Sequence, residues 1–171
     1  MRYYLSILAL LLISCRPRLV VKPIAAEPTD TVIVVQRIDS TMPQKVVAYA
    51  QTLLGTPYKF ACMAPSTGFD CSGFINYVFD HFNIEVPRSS VDFTNVGTQV
   101  ALENTQPGDL ILFTGTNSKV HTVGHIGLIV ANETSGISFI HSSSGAEQAV
   151  IVTQLNDRYM ARFVKVIRIM K

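Results

Sequence analysis

The sequence has no strong charge imbalance, no internal repeat and no apolar run long enough to cross a membrane. Lysine and arginine number 14 against 12 aspartates and glutamates, so no global field favours nucleic acid or another polyanion. A transmembrane helix needs about 18 or more consecutive apolar residues, and the chain contains no such run. What remains is a chain of one-domain length, and its apolar fraction of 48% is sufficient for a hydrophobic core.

Cysteine is also scarce, and the first of the three cysteines closes an N-terminal targeting pattern. Met1-Arg2 is a positive start, and an apolar segment of signal-peptide length follows it. The segment ends in Leu12-Ile13-Ser14-Cys15, which resembles the processing box of bacterial lipoproteins. The resemblance implies that residues 1–14 are a signal peptide and that lipid on Cys15 anchors the chain in a membrane. The alternative is an ordinary signal peptide with an incidental cysteine.

Residues 15–43 are predicted to be the lipidated N-terminus and a tether. Four prolines interrupt this stretch, which discourages both helix and sheet: Pro17, Pro23, Pro28 and Pro43. Within it, Thr31 to Val35 has strong β character and is a candidate for docking on the following domain. Arg16 follows Cys15 where some lipoproteins carry an inner-membrane retention aspartate, so we expect the periplasmic side of the outer membrane.

The catalytic domain is predicted to cover residues 44–171. Apolar residues recur at helical spacing from Gln44 to Leu54, with Gly55 as a C-cap, and again after Cys71. The chain then changes to β-type segments, namely Leu110–Phe113, Ile126–Ala131, Ile137–His141, Val150–Val152 and Arg162–Ile169. Helices followed by strands predict an α+β domain with a largely antiparallel sheet of five to six strands.

Three residues of this pattern suggest nucleophilic catalysis. Cys71 lies at the start of a buried helix, where free N–H groups and the helix dipole favour a thiolate, so we expect a lowered pKa. His125 enters one predicted strand and His141 ends another. A thiol on a helix that faces imidazoles on a sheet is the arrangement of a cysteine hydrolase, in which one imidazole moves the proton and a further polar group orients it.

Other interpretations of the same residues remain open at this point. Cys62 and Cys71 could form a disulfide, or the two thiols could bind zinc together with His121, His125 and His141. A zinc site is disfavoured because His121 to His125 lacks the glutamate of a metalloprotease helix. His121 itself is expected at a surface or pocket rim. His81 is expected at the C-terminus of the second helix, as a partner of its dipole.

Six short motifs in a fixed order resemble those of the NlpC family of papain-like cell-wall peptidases, over about residues 44–171. They are Gly55-Thr56-Pro57-Tyr58, Phe69-Asp70-Cys71-Ser72-Gly73-Phe74, Val86-Pro87-Arg88-Ser89-Ser90, Gln106-Pro107-Gly108-Asp109-Leu110, His125-Ile126-Gly127 and Ile140-His141-Ser142. Each motif alone is weak evidence, but six in order are hard to obtain by chance. The resemblance implies a papain-like fold in which N-terminal helices carry the cysteine and the sheet carries the histidines.

The same resemblance implies a role for each matching residue. Cys71 is the nucleophile, His125 the base and His141 its orienting partner. Oxyanion or substrate contacts are expected from the residues around the thiol, namely Tyr58, Asp70, Ser72 and Arg88. Arg88 is a candidate for clamping a stem-peptide carboxylate, with a surface ion pair as the alternative. One departure is Ala61-Cys62 in place of the family's glycine pair, which predicts a narrower pocket floor.

The function implied is hydrolysis of amide bonds in peptidoglycan stem peptides through a Cys-His-His triad and a thioester. We expect no cofactor, no metal, no nucleic-acid partner and a monomeric protein in the cell envelope. Two alternatives use the same fold: a non-catalytic peptidoglycan-binding lipoprotein, and an acyl or peptidyl transferase that uses the same thiol. The intact Cys71, His125 and His141 argue against the non-catalytic alternative.

Overall fold

The computed structural model describes residues 41–116 and 120–170. The predicted signal peptide, Cys15 and the tether up to residue 40 lie outside these residues, as does the segment from Thr31 to Val35. Within the described ranges, every helix is too short or too polar to cross a membrane.

Helix α1 (Met42–Gln51) begins two residues before the predicted start at Gln44. Pro43 occupies the first turn, where a missing backbone N–H costs little because no intrahelical acceptor exists there. The side chain of Gln44 accepts a hydrogen bond from the backbone N–H of Thr41 at 2.8 Å, which closes the helix start. Gly55 follows the helix at φ 81°, and its N–H donates to the carbonyl of Val150 at 2.9 Å.

Helix α2 (Cys71–Asp80) follows a short hairpin of β1 (Met63–Ala64) and β2 (Gly68–Phe69). Its buried face consists of the apolar residues predicted from their spacing, namely Phe74, Ile75, Val78 and Phe79. His81 lies at the C-cap, as expected, and its ring stacks on that of Tyr49 with centroids 3.8 Å apart. This stacking ties the end of α2 to α1.

The remaining strands form one antiparallel sheet in the order β3-β8-β4-β5-β6-β7. Their bounds are β3 (Thr98–Val100), β4 (Leu110–Thr114), β5 (Val123–Glu133), β6 (Gly136–Ser142), β7 (Val150–Gln154) and β8 (Phe163–Arg168). Short helical turns lie at Asp92–Asn95 and Leu102–Asn104, and α3 (Asp157–Met160) precedes β8. The predicted α+β class with a six-stranded antiparallel sheet is confirmed. The edge strand β3 and the β1–β2 hairpin were not predicted, because two- and three-residue strands have no measurable periodicity.

Residues on the two faces of the sheet belong to separate apolar clusters. Helices α1 and α2 pack on the face that carries Leu110, Leu112, Leu128, Ile140 and Ile167. The opposite face carries Ile111, Phe113, Ile129, Phe139 and Val166. Because alternate residues of a strand point to opposite faces, runs such as Leu110–Phe113 supply both clusters at once. Burial of each large side chain contributes about 2 kcal/mol, so the packing on both faces stabilises the sheet.

Candidate active site

The helix side of the site is built around the first turn of α2, whose first residue is Cys71. Asp70 is the N-cap, and its Oδ1 accepts a hydrogen bond from the backbone N–H of Gly73 at 2.6 Å. This contact satisfies one of the free donors at the helix start. The cap also fixes the direction in which the Cys71 side chain leaves the helix.

Gly73 is required by a close approach of the preceding loop. A Cβ at this position would lie 2.2 Å from the carbonyl oxygen of Cys62, which accepts a hydrogen bond from the N–H of Asp70 at 2.9 Å. Any larger residue would push this loop away from the helix start.

Both Cys62 and Cys71 are free thiols, so the structure does not contain the disulfide considered as an alternative.

The pKa of the Cys71 thiol is raised, contrary to the expectation from the helix start. Burial is the larger cause, because it disfavours the charged thiolate, and the carboxylate of Asp70 adds to it. The backbone N–H groups of Ser72, Cys71 and Ile126 act in the opposite direction but do not outweigh these effects. This direction favours the protonated thiol, which can become a nucleophile only when a base removes its proton.

Beside the thiol, Arg88 and Asp70 form a two-bond ion pair. The Arg88 Nη1 and Nη2 atoms donate to the two Asp70 carboxylate oxygens at 3.1 and 2.6 Å. Nη1 also donates to the hydroxyl of Ser72 at 3.1 Å, so these three side chains form one cluster. Asn76 on α2 donates to the carbonyl of Pro87 at 2.7 Å and thereby holds the Arg88 loop in place. The ion pair considered for Arg88 is thus present, and it is formed with Asp70, the N-cap of α2.

A cavity of about 320 Å³ opens above Cys71. Its lining includes all the residues predicted for oxyanion or substrate contacts, namely Tyr58, Asp70, Ser72 and Arg88. Burial is the main cause that raises the pKa of Tyr58, followed by Cys71 and Asp70, so its hydroxyl stays protonated and can donate a hydrogen bond. Ala61 also lines this cavity and has φ 61°, a conformation that favours glycine.

The sheet side of the site is a chain of three side chains on neighbouring strands. Nε2 of His125 on β5 lies 2.9 Å from Nδ1 of His141 on β6. Nε2 of His141 lies 3.0 Å from the Thr153 hydroxyl on β7. If His141 accepts at Nδ1, it must donate from Nε2 to Thr153, and His125 must then donate from its own Nε2. This arrangement leaves Nδ1 of His125 free to accept a proton.

Both histidines are held neutral at pH 7 by their surroundings. Burial lowers the pKa of His125 well below its ordinary value, with His141 and Arg162 as further causes. The pKa of the fully buried His141 falls to about 4, again mainly through burial and then through Arg162. A neutral imidazole is the form that can accept a proton from a thiol.

Aromatic side chains pack against the two histidines. The Phe139 ring lies 4.9 Å from that of His141, and the Tyr159 ring lies 5.6 Å from it. A Cβ at Gly127 would lie 2.5 Å from the Phe139 ring. The glycine two residues after His125 is therefore needed because only a hydrogen atom leaves room for this packing.

The backbone of β5 brings the two sides of the site together. The N–H of Ile126, the residue after His125, interacts with the Cys71 thiol, and Gly124, the residue before it, lines the Cys71 cavity. Thus the thiol contacts β5 just after His125, and the cavity of the thiol is bounded by β5 just before it. His121 is exposed, in agreement with the expected rim position. In residues 41–116 and 120–170, no group of three or more His, Cys, Asp or Glu side chains could hold a metal ion.

Sequence reasoning missed Thr153, Phe139, Tyr159 and Arg162 as residues that contact or influence the histidines. The predicted strand Val150–Val152 ended one residue before Thr153, and extension of that strand would have included it. The other three are ordinary apolar or basic positions until strand register is known. They carry no motif of their own.

Comparisons with known proteins agree with this architecture. The model of the NlpC/P60 family matches residues 55–168. The gamma-DL-glutamyl hydrolase of Bacillus subtilis is 35% identical over 66% of this chain, but the match spans 26% of that protein. The murein DD-endopeptidase MepS/murein LD-carboxypeptidase of Escherichia coli is 33% identical over 54% of this chain and 44% of its own length. The chain thus spans less than half the length of these relatives.

The fold is likewise shared with solved structures. The crystal structure of an NlpC/P60 family protein from Bacillus cereus superposes with a TM-score of 0.67 at 29% identity, over 78% of this chain and 42% of that one. The papain-like α+β fold predicted from the sequence is confirmed by this likeness. Because the family model matches about two thirds of the chain, from the loop before Tyr58 to the last strand, the protein belongs to the NlpC/P60 family.

Proposed function

We propose that the protein is a cysteine endopeptidase that hydrolyses amide bonds in the stem peptides of peptidoglycan. The observation that carries this proposal is the hydrogen-bonded chain from His125 through His141 to Thr153, next to a thiol at a helix start. A binding module has no need for a neutral, oriented imidazole beside a cysteine. Family membership supports the same function.

The proposed first step is proton transfer from the Cys71 thiol to Nδ1 of His125. The raised pKa of Cys71 and the lowered pKa of His125 keep both groups neutral at rest. The transfer therefore accompanies attack of sulfur on the substrate carbonyl rather than preceding it. His141 stabilises the imidazolium that forms, because its Nδ1 accepts from Nε2 of His125.

In the next steps, a carbon–sulfur bond forms and the carbon–nitrogen bond breaks. The N–H of Cys71 and the hydroxyl of Tyr58 are the proposed donors to the oxyanion. His125 returns its proton to the departing amine, which leaves a thioester on Cys71. Water then attacks this thioester with His125 as the base, and the carbon–sulfur bond breaks. The acyl half leaves as a free carboxylic acid, and the thiol of Cys71 is regenerated.

The names of two relatives support the proposed substrate class. One is a gamma-DL-glutamyl hydrolase and the other a murein endopeptidase and carboxypeptidase. We propose that Asp70, Ser72 and Arg88 contact the acyl half of the substrate, because they line the Cys71 cavity. Arg88 offers only the guanidinium capacity that its pairing with Asp70 leaves free.

The test is incubation of the purified protein with defined muropeptides, followed by mass spectrometry. Hydrolysis gives products with new amines, and the Cys71→Ala variant should give none. Cys62→Ala is the matched control, since Cys62 is also a free thiol but does not line the cavity, and it should retain cleavage. Adducts to a second peptide would indicate a transferase instead. Unchanged masses with the wild-type protein would contradict the proposal.

We also propose that the protein acts in the cell envelope as a lipoprotein, with lipid on Cys15 and the segment predicted as residues 15–43 as a tether to the periplasmic side of the outer membrane. The support is the lipoprotein-like box at Leu12-Ile13-Ser14-Cys15. Cys15→Ala should release the protein from the membrane fraction of cells. Membrane retention equal to that of the wild-type protein would contradict lipid anchoring.

A further inference from the structure

A second cavity, of about 260 Å³, lies beside His125. None of its lining residues belongs to the Cys71 cavity, and the two cavities divide at adjacent residues of β5: Gly124 lines one and His125 the other. A substrate whose reacting bond lies over Cys71 and His125 would therefore extend into both. Each cavity would receive one half of it.

The chemistry of the proposed reaction assigns the halves. His125 must protonate the departing amine, so the nitrogen of the broken bond must lie within hydrogen-bond reach of the imidazole. The substituents of that nitrogen then extend into the cavity that His125 lines. The acyl half remains over Cys71 in the other cavity. This assignment rests on the proposed function.

The cavity beside His125 contains two guanidinium groups and one carboxylate, those of Arg158, Arg162 and Glu147. Arg162 is fixed in place, because its Nε and Nη2 donate to the carbonyl of Thr114 at 3.2 and 2.7 Å. Its guanidinium also lies 5.7 Å from the centre of the Tyr159 ring. In the described part of the chain, the two ion pairs are Arg88–Asp70 and Arg168–Asp109, so neither cavity arginine is paired with a carboxylate.

The Cys71 cavity differs in this respect. Its arginine, Arg88, already has both carboxylate oxygens of Asp70 within hydrogen-bond distance. The free positive charge at the site is therefore on the His125 side. The half-buried guanidinium of Arg162 is held in one position, whereas the exposed side chain of Arg158 can change its conformation.

We propose that the cavity beside His125 binds the leaving half of the substrate through a carboxylate, which pairs with Arg158 and Arg162. The ligand class is an amino acid or short peptide whose amine is released by the reaction and which carries a free carboxyl group. Glu147 reduces the positive field of the cavity and so limits affinity for the released product. Exposure of Arg158 makes the preference moderate in size and sensitive to salt.

The activity test compares two substrates that differ only in the leaving half, one with a free carboxylate and one with that group amidated. The wild-type protein should cleave the carboxylate form with the higher kcat/KM. Arg158→Gln should lower kcat/KM for the carboxylate form about fivefold more than for the amidated form, through KM. Lys45→Gln removes an exposed charge on α1, away from the cavity, and should not change the preference. Arg162 is not substituted in this test, because its side chain also donates hydrogen bonds to the carbonyl of Thr114.

A binding test separates this proposal from failure of the proposed function. Calorimetry on the Cys71→Ala variant measures binding of the free leaving-half amine, as carboxylate and as amide, without any turnover. Tighter binding of the carboxylate, lost in Cys71→Ala with Arg158→Gln, supports the subsite even if no substrate is cleaved. Equal binding of the two forms would overturn it. Weaker binding of the carboxylate ligand in a Glu147→Gln variant would also overturn it, because removal of a negative charge must strengthen an anion site.

Discussion

On the helix side of the site, the residues at the start of α2 are neighbours in the sequence, whereas on the sheet side His125, His141 and Thr153 meet only through strand pairing. Asp70, Cys71, Ser72 and Gly73 follow one another at the start of α2. The histidine chain crosses β5, β6 and β7. The register of these strands is given by the pairs Ile129–Phe139 and Phe139–Thr153. One motif therefore describes the start of α2, but the positions of Tyr58 and Arg88 beside Cys71 depend on tertiary structure, and the sheet side depends on the strand register.

The two sides also differ in electrostatics, in a complementary way. Burial raises the pKa of the Cys71 thiol and lowers the pKa values of His125 and His141. Both shifts favour the neutral form of each group, so they disfavour a thiolate–imidazolium ion pair between Cys71 and His125 at rest. The proposed mechanism therefore depends on the alignment of the imidazole rather than on a preformed thiolate. The following predictions test this difference between the two sides.

The largest effect is expected from His125→Ala. Loss of the proposed base should reduce muropeptide cleavage by a factor of about 10² to 10⁴, measured as kcat/KM. His121→Ala is the matched control, since His121 is an exposed histidine close by in sequence, and it should keep at least about a tenth of the activity, well outside the range of loss of a general base. Equal losses in the two variants would contradict the assignment of the sheet side.

The second prediction concerns stability in acid. In the unfolded chain His141 takes up a proton near its ordinary pKa of 6.5, but in the folded protein only at about 4. Between these values the unfolded state binds more protons, so stability falls as pH decreases. The loss from His141 alone should be roughly 3 kcal/mol between pH 7 and pH 4, and His125 acts in the same direction.

Urea unfolding at pH 7, 6, 5 and 4 measures this loss. His141→Gln removes the titrating group, so its stability should depend less steeply on pH even if the variant is less stable at pH 7. His121→Gln, an exposed control, should keep the wild-type slope. A wild-type stability that is constant from pH 7 to pH 5 would show that the histidines are not buried as described.

Much of the helix side was predictable because its determinants are local. A helix start and an apolar face are visible in consecutive residues, and they predicted Cys71 at or next to the start of the helix, where it is the first residue of α2. The expected pKa direction of the thiol was wrong, because burial is the largest cause of the shift and the burial of Cys71 depends on tertiary packing. On the sheet side His125 and His141 were recognisable from motifs, but Thr153 and Phe139 have no local signal. Their positions follow from the pairing of β6 with β7 and the space left by Gly127.

The third prediction concerns Thr153, the last member of the histidine chain. Thr153→Val keeps the shape but removes the hydroxyl that hydrogen-bonds Nε2 of His141. This buried nitrogen then has no partner, and the tautomer of His141 is no longer fixed. We expect kcat to fall about tenfold with little change in KM. Thr153→Ser restores the hydroxyl and should recover most of the rate. If serine does not rescue the rate, Thr153 acts through packing and not through the hydrogen bond.

The smallest effect is expected on the helix side, at Ala61. This residue has φ 61°, and a left-handed conformation costs a residue with a Cβ about 1 kcal/mol or more. Ala61→Gly removes that cost but increases the entropy of the unfolded chain, which offsets part of the gain. The net gain should be about 0.5 kcal/mol in the free energy of unfolding. Ala101→Gly is the matched control: Ala101 is exposed at φ −64°, so the same change should be neutral or slightly destabilising. Because Ala61 also lines the Cys71 cavity, the glycine variant should accept bulkier acyl halves without a loss of kcat. A destabilised Ala61→Gly variant would contradict the conformation of this loop, and with it the account of the narrow pocket floor.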